Sequence, residues 1–112
     1  MDIVMSFRHI HTKEPFKSII KNYAEDKTQR LKKYFNGKIQ VKWTFEYENQ
    51  NSIAHCHLVG NRMNYFGEAA TEDLHSAIDS AVDKIERQVK KKKEILRDHH
   101  HKRNRASIKK AA

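Results

Sequence analysis

A chain of 112 residues, 38% of them apolar and 33% charged, has room for one domain around one modest core. It has no stretch near the ~18 consecutive apolar residues of a membrane span, no secretory-type leader after Met1-Asp2-Ile3, and a single cysteine, Cys56, which excludes an internal disulfide and suits a reducing cytoplasm. The formal net charge of +9 lies wholly in residues 84–112, where 12 Lys/Arg face 3 Asp/Glu, while residues 1–83 carry 11 of each. A field this one-sided points to a polyanionic partner, either nucleic acid or an anionic membrane surface.

Residues 3–11 read as a first strand, with Ile3, Met5 and Phe7 alternating. Thr12-Lys13-Glu14-Pro15 begins a helix, with proline at the first helical position, where its missing N–H costs nothing. Apolar positions 16, 19, 20, 23, 24, 31 and 35 form a stripe that Asn36-Gly37 closes, glycine taking the left-handed conformation. Ile39, Val41, Trp43, Phe45 and Tyr47 then alternate with Gln40, Lys42, Thr44, Glu46 and Glu48, a half-buried strand whose aromatics belong to the core. Asn49-Gln50-Asn51-Ser52 is a turn, residues 53–59 a third strand, and Gly60-Asn61-Arg62 turns it into a fourth over 63–69.

Thr71 caps a second helix, with Glu72 and Asp73 at its positive end. Its apolar row is Leu74, Ala77, Ile78, Ala81, Val82, Ile85, Val89 and Ile95/Leu96, and its end is expected near Asp98. Residues 1–98 therefore form one α+β domain, and residues 99–112 a basic tail expected to be disordered. The order β-α-β-β-β-α predicts a four-stranded sheet with two helices packed on one face, one parallel pair in an otherwise antiparallel sheet, similar in layout to a double-stranded-RNA-binding domain.

Off the apolar row of the second helix stand Lys84, Arg87, Gln88, Lys90, Lys91, Lys92, Lys93 and Arg97. Lysines offer point charges to phosphate, and arginines fork onto two phosphate oxygens. Cations that merely complemented a helix C-terminus would be fewer, so this end of the chain is the expected nucleic-acid contact. Lys17, Lys21, Arg30, Lys32 and Lys33 make a second stripe on helix one, interrupted by Glu25 and Asp26. Outward faces of two helices on one side of a sheet would form one basic surface, the kind that reads folded RNA by shape and backbone.

No other group of residues carries chemistry. His9/His11 and His55/His57 are each spaced to share one strand face, but no acid or thiol completes a metal set, and neither a metal nor a cofactor is expected. Cys56 reads as a small apolar core residue. There is no phosphate loop and no paired carboxylate, so an enzyme and a small-molecule substrate are not expected.

The second helix also resembles a known signature. Asp73-Leu74-His75-Ser76-Ala77-Ile78-Asp79, followed by Asp83-Lys84-Ile85-Glu86-Arg87-Gln88-Val89-Lys90-Lys91-Lys92-Lys93, is similar to that of the ribosome hibernation-promoting factor and protein Y family, with a weaker match at Lys27, Arg30-Leu31 and Tyr34-Phe35. The resemblance spans about residues 3–97, and the element order agrees with it. It implies a non-enzymatic stress factor, monomeric off the ribosome, that occupies the decoding channel of the small ribosomal subunit and reversibly blocks translation. By position it implies that Lys84, Arg87, Lys90, Lys91 and Lys93, with Lys27 and Arg30, face ribosomal RNA. The chain looks like the short members, which lack a second domain, and its basic tail is expected to follow the messenger channel. Two rivals remain: a general structured-RNA binder, and a membrane-surface protein, which the lack of a free apolar face disfavours.

Overall fold

A computed structural model describes residues 1–10 and 14–101, with the side chains followed to Lys92. The elements run β1 (Asp2–Arg8), α1 (Phe16–Gln29), a 3-10 turn (Lys32–Tyr34), β2 (Gln40–Glu48), β3 (Asn51–Gly60), β4 (Met63–Thr71) and α2 (Leu74–His101). The sheet order is β1-β2-β3-β4, with β1 parallel to β2 and the other pairs antiparallel. This is the expected α+β fold.

One face of the sheet meets both helices. Val41, Trp43 and Phe45 from β2, Ala54, Cys56 and Leu58 from β3, and Tyr65 and Ala69 from β4 are buried there. Against them α2 lays Leu74, Ala77, Ile78, Ala81, Val82, Ile85 and Val89, and α1 lays Ile20 and Ala24. Gly67 lies close under the helix: a Cβ built there would collide with the Ala81 carbonyl oxygen, so only glycine lets α2 sit this low on β4.

The core holds one buried polar relay. Trp43 Nε1–H donates to Thr28 Oγ1 at 2.9 Å, and that hydroxyl donates to the Ala24 carbonyl at 2.6 Å. The large indole is thereby buried without an orphaned donor.

Several boundaries differ from expectation, each for a local reason. β1 stops at Arg8 because His9 takes φ 56°, in the left-handed region, so His9 leaves the strand; His11 lies outside the described residues. Helix α1 ends at Gln29 rather than at Asn36: Arg30 and Leu31 donate three residues back, to Lys27 and Thr28, which tightens the turn and drops Leu31 into the core. Phe16 and Ile19, read as part of the buried stripe, are 43% and 50% exposed because α1 buries only the side carrying Ile20, Ala24 and Thr28.

Tyr47, read as core, is 52% exposed at the far end of β2. The β2–β3 turn is only Asn49-Gln50, both at positive φ, so β3 starts earlier, at Asn51. The helix cap is Asp73 rather than Thr71: its carboxylate accepts from the Ser76 N–H at 2.7 Å, and this bond holds the acid below its ordinary range. Helix α2 runs to His101, past the end expected near Asp98, and residues 102–112 of the expected tail lie outside the described residues.

Candidate nucleic-acid interface

Helix α2 is long because its apolar row repeats at three and four, and from Lys84 onward most positions off that row carry cations. Arg87, Lys90, Lys91 and Lys92 are exposed. From helix one and the turn after it, Arg30 and Lys33 are exposed and Lys27 is half-buried.

Many of these cations are already engaged within the fold. Asp79 on α2 accepts from the Tyr23 hydroxyl at 2.7 Å and pairs with Lys27 at 3.4 Å. Two turns on, Glu86 accepts from the Tyr34 hydroxyl at 2.8 Å and pairs with Arg30 at 3.5 Å. Two carboxylates seven residues apart on α2 are thus each gripped by a tyrosine and a cation four residues apart, and this double clamp fixes α1 beside α2. It also raises both phenols: Tyr23 chiefly through its bond to Asp79, Tyr34 chiefly through desolvation and then its bond to Glu86.

A second pair serves the sheet. Lys84 Nζ donates to the Glu68 carbonyl at 2.6 Å and Gln88 Nε2 to the Phe66 carbonyl at 2.8 Å, so both reach around the edge of β4. Arg87 pairs with Asp83 at 3.0 Å, an exposed i,i+4 bridge that water weakens.

Among the described residues, Lys33, Lys90, Lys91 and Lys92 form no ion pair with a carboxylate. Lys92 leans over the Tyr65 ring and Lys33 over the Tyr34 ring, at 5.9 and 5.3 Å from the centroids. The side chains of Lys93 and Arg97, expected in the same contact, lie outside those described. The clamp and the edge bonds were not read from the sequence. Their only trace there was the seven-residue spacing of Asp79 and Glu86 and the four-residue spacing of Lys84 and Gln88.

Cys56 is fully buried, and desolvation pushes its thiol up to about 12, which suits an inert core residue. His55 and His57 share the outer face of β3, where His55 lies 3.0 Å from Glu68 and 3.5 Å from Glu46. Among the described residues no group of three or more histidines, cysteines or acids is placed to hold a metal, and no helix is long and apolar enough to cross a membrane.

The geometry is that of an α+β sandwich whose helix layer presents a basic ridge beyond the edge of its sheet. Residues 3–97 match the family model described as sigma 54 modulation protein / S30EA ribosomal protein, and the chain belongs to that family. It is 35% identical over 77 residues to the ribosome hibernation promoting factor of Azotobacter vinelandii, a match covering 67% of this chain and 70% of that one. With the factor of the same name from Pseudomonas putida it shares 29% over 96 residues, 84% of this chain and 88% of the relative. The N-terminal domain of Thermus thermophilus protein Y superposes with a TM-score of 0.71 at 28% identity, covering 81% of this chain and 98% of that domain.

Proposed function

We propose that this protein is a ribosome hibernation factor that binds the RNA of the small ribosomal subunit at the decoding channel and reversibly blocks translation. The observation that carries the reading is the exposed run Lys90-Lys91-Lys92 on α2, free of carboxylate partners among the described residues, in a chain whose relatives are ribosome hibernation promoting factors. Rigid spacing makes these point charges a phosphate-binding ridge.

Lys93 and Arg97 extend that ridge, and Lys33 flanks it. Lys84, Arg87, Gln88, Lys27 and Arg30 belong to the same interface at its base. There each keeps donors for RNA beyond the one bond that holds the fold, and the clamp sets the distance between the two helices. No covalent step is involved: occupancy alone excludes messenger and transfer RNA. The site of action is then the cytoplasm, and the free protein a monomer.

Co-sedimentation with purified small subunits across a salt series tests this, comparing the native chain with Lys90→Glu plus Lys91→Glu. Binding should fall steeply with salt, and the double variant should lose affinity and show a shallower salt slope, by roughly 0.7–0.9 per phosphate contact removed. Tight binding to plain RNA duplexes with no preference for the small subunit would discard hibernation and leave a general structured-RNA-binding module.

A further inference from the structure

The face of the sheet turned away from the helices is not covered by any described element. Strand register places Val4, Lys42, His57 and Phe66 in one row across all four strands. Phe66 is 50% exposed and Val4 58%, with the cation and the imidazole between them.

Three features give this row a chemistry. The first is the aromatic surface: the Phe66 ring lies 6.1 Å from the His57 ring, edge to face, and half of its surface stays open to solvent. The second is a polar edge beside it. His57 Nε2 bonds to Asn64 Oδ1, which holds the ring in place and leaves Nδ1 outside that bond. The third is charge. Of the carboxylates on this face, Glu46 is met by Arg8 and His55 and Glu68 by His55, while Asp2 and Glu48 stand at its two ends. Lys42 pairs with none of the described carboxylates and stands within the row. A cleft of about 290 Å³ opens here, lined by Lys42, His57 and Phe66 with Arg8, Glu46 and His55.

We propose that this row is a stacking site for one unpaired base of an RNA strand: the base lies on Phe66, His57 Nδ1 hydrogen-bonds to the base edge, and Lys42 meets the adjoining phosphate. An open aromatic beside a hydrogen-bonding side chain and a free cation is what sheet surfaces use to hold single-stranded RNA. A protein partner fits less well, because interface cores are depleted of charge and here Lys42 and His57 divide the apolar groups.

The choice of RNA as ligand rests on the proposed function, and the structure gives it a route. Gln88 and Lys84, at the base of the basic ridge, hold the Phe66 and Glu68 carbonyls, so ridge and row meet at the β4 edge. A strand leaving the ridge can turn that edge and set its next free base on Phe66.

The test uses the full-length chain carrying Lys90→Glu plus Lys91→Glu, which reverses two charges of the ridge, titrated with an adenosine octaribonucleotide while the Phe66 and His57 ring signals are followed by NMR. Both signals should shift, and Phe66→Ala should weaken binding about five- to a hundredfold, while Phe66→Trp keeps it. Phe66 is exposed, so both variants should unfold at the native temperature. The inference is overturned if Phe66→Ala binds like its parent, if an RNA duplex shifts the same signals equally, or if Phe66→Ala instead abolishes self-association. The same variants on the native ridge, sedimented with small subunits, read the proposed function separately.

Discussion

Replacing Thr28 by valine keeps the shape of the side chain and removes its oxygen. In the native fold that oxygen is the only partner shown for the Trp43 indole N–H, 2.9 Å away, and both residues are fully buried. Valine leaves the donor dry and unpaired, at a cost of about 1–3 kcal/mol. The Ala24 carbonyl loses only its extra bond, and valine and threonine have similar helix propensities, so no other large term enters. Serine is the informative control: it keeps the hydroxyl and gives up one methyl, about 0.8 kcal/mol plus a small void. The expected order of stability is therefore native, then Thr28→Ser, then Thr28→Val. A loss of about 2 kcal/mol lowers the melting temperature of a domain this size by roughly 8–16 °C. Urea unfolding followed by the emission of Trp43, the single tryptophan, measures it directly. A Thr28→Val protein as stable as the native chain, or more stable than Thr28→Ser, would refute the relay.

Gly67→Ala forces a methyl into the Ala81 carbonyl and against Ile85, so α2 must lift; a loss of about 1–3 kcal/mol is expected in the same urea assay. Cys56, with its thiol pushed up to about 12 by burial, should react with a thiol reagent at mildly alkaline pH no faster than the chain unfolds, as quenched labelling would show. Tyr23 and Tyr34 are raised above the ordinary value of 10.0 by folding, so their contribution to stability is complete below that pH and is lost as pH rises through the folded values. Tyr23→Phe plus Tyr34→Phe should accordingly be less stable at neutral pH and lose less than the native chain on alkaline titration, read by thermal melts at stepped pH.

The sheet and α2 were legible because each buries one face and repeats its pattern without interruption: Val41, Trp43 and Phe45 on β2, and Leu74 to Val89 on α2. Tyr47 continues the strand pattern past the point where a helix covers it, and strand period alone cannot say where cover ends. Likewise the turn that breaks α1 is set by what lets Leu31 reach the core, since no proline or glycine stands at Gln29 or Arg30. Of the candidate interface, the run of cations was plain. Which of them are spent inside the fold was not, because the clamps join residues 56 and 52 positions apart in the chain and the edge bonds join helix to backbone. Phe66 was hidden in a strand with no aromatic alternation to draw notice.

The bonds from Lys84 and Gln88 to β4 also decide how this sheet can grow. A strand joining at β4 would need the Glu68 and Phe66 carbonyls, and both are already taken by side chains of the protein's own helix. That margin is closed to templated pairing, the route by which exposed strands recruit one another into aggregates. Among the described residues the β1 margin alone remains open, and it is a short strand of seven residues ending in the charged Asp2 and Arg8. Even at high concentration, strand-to-strand addition could therefore join two copies back to back through β1 and then stop, since each copy has spent its other margin on itself.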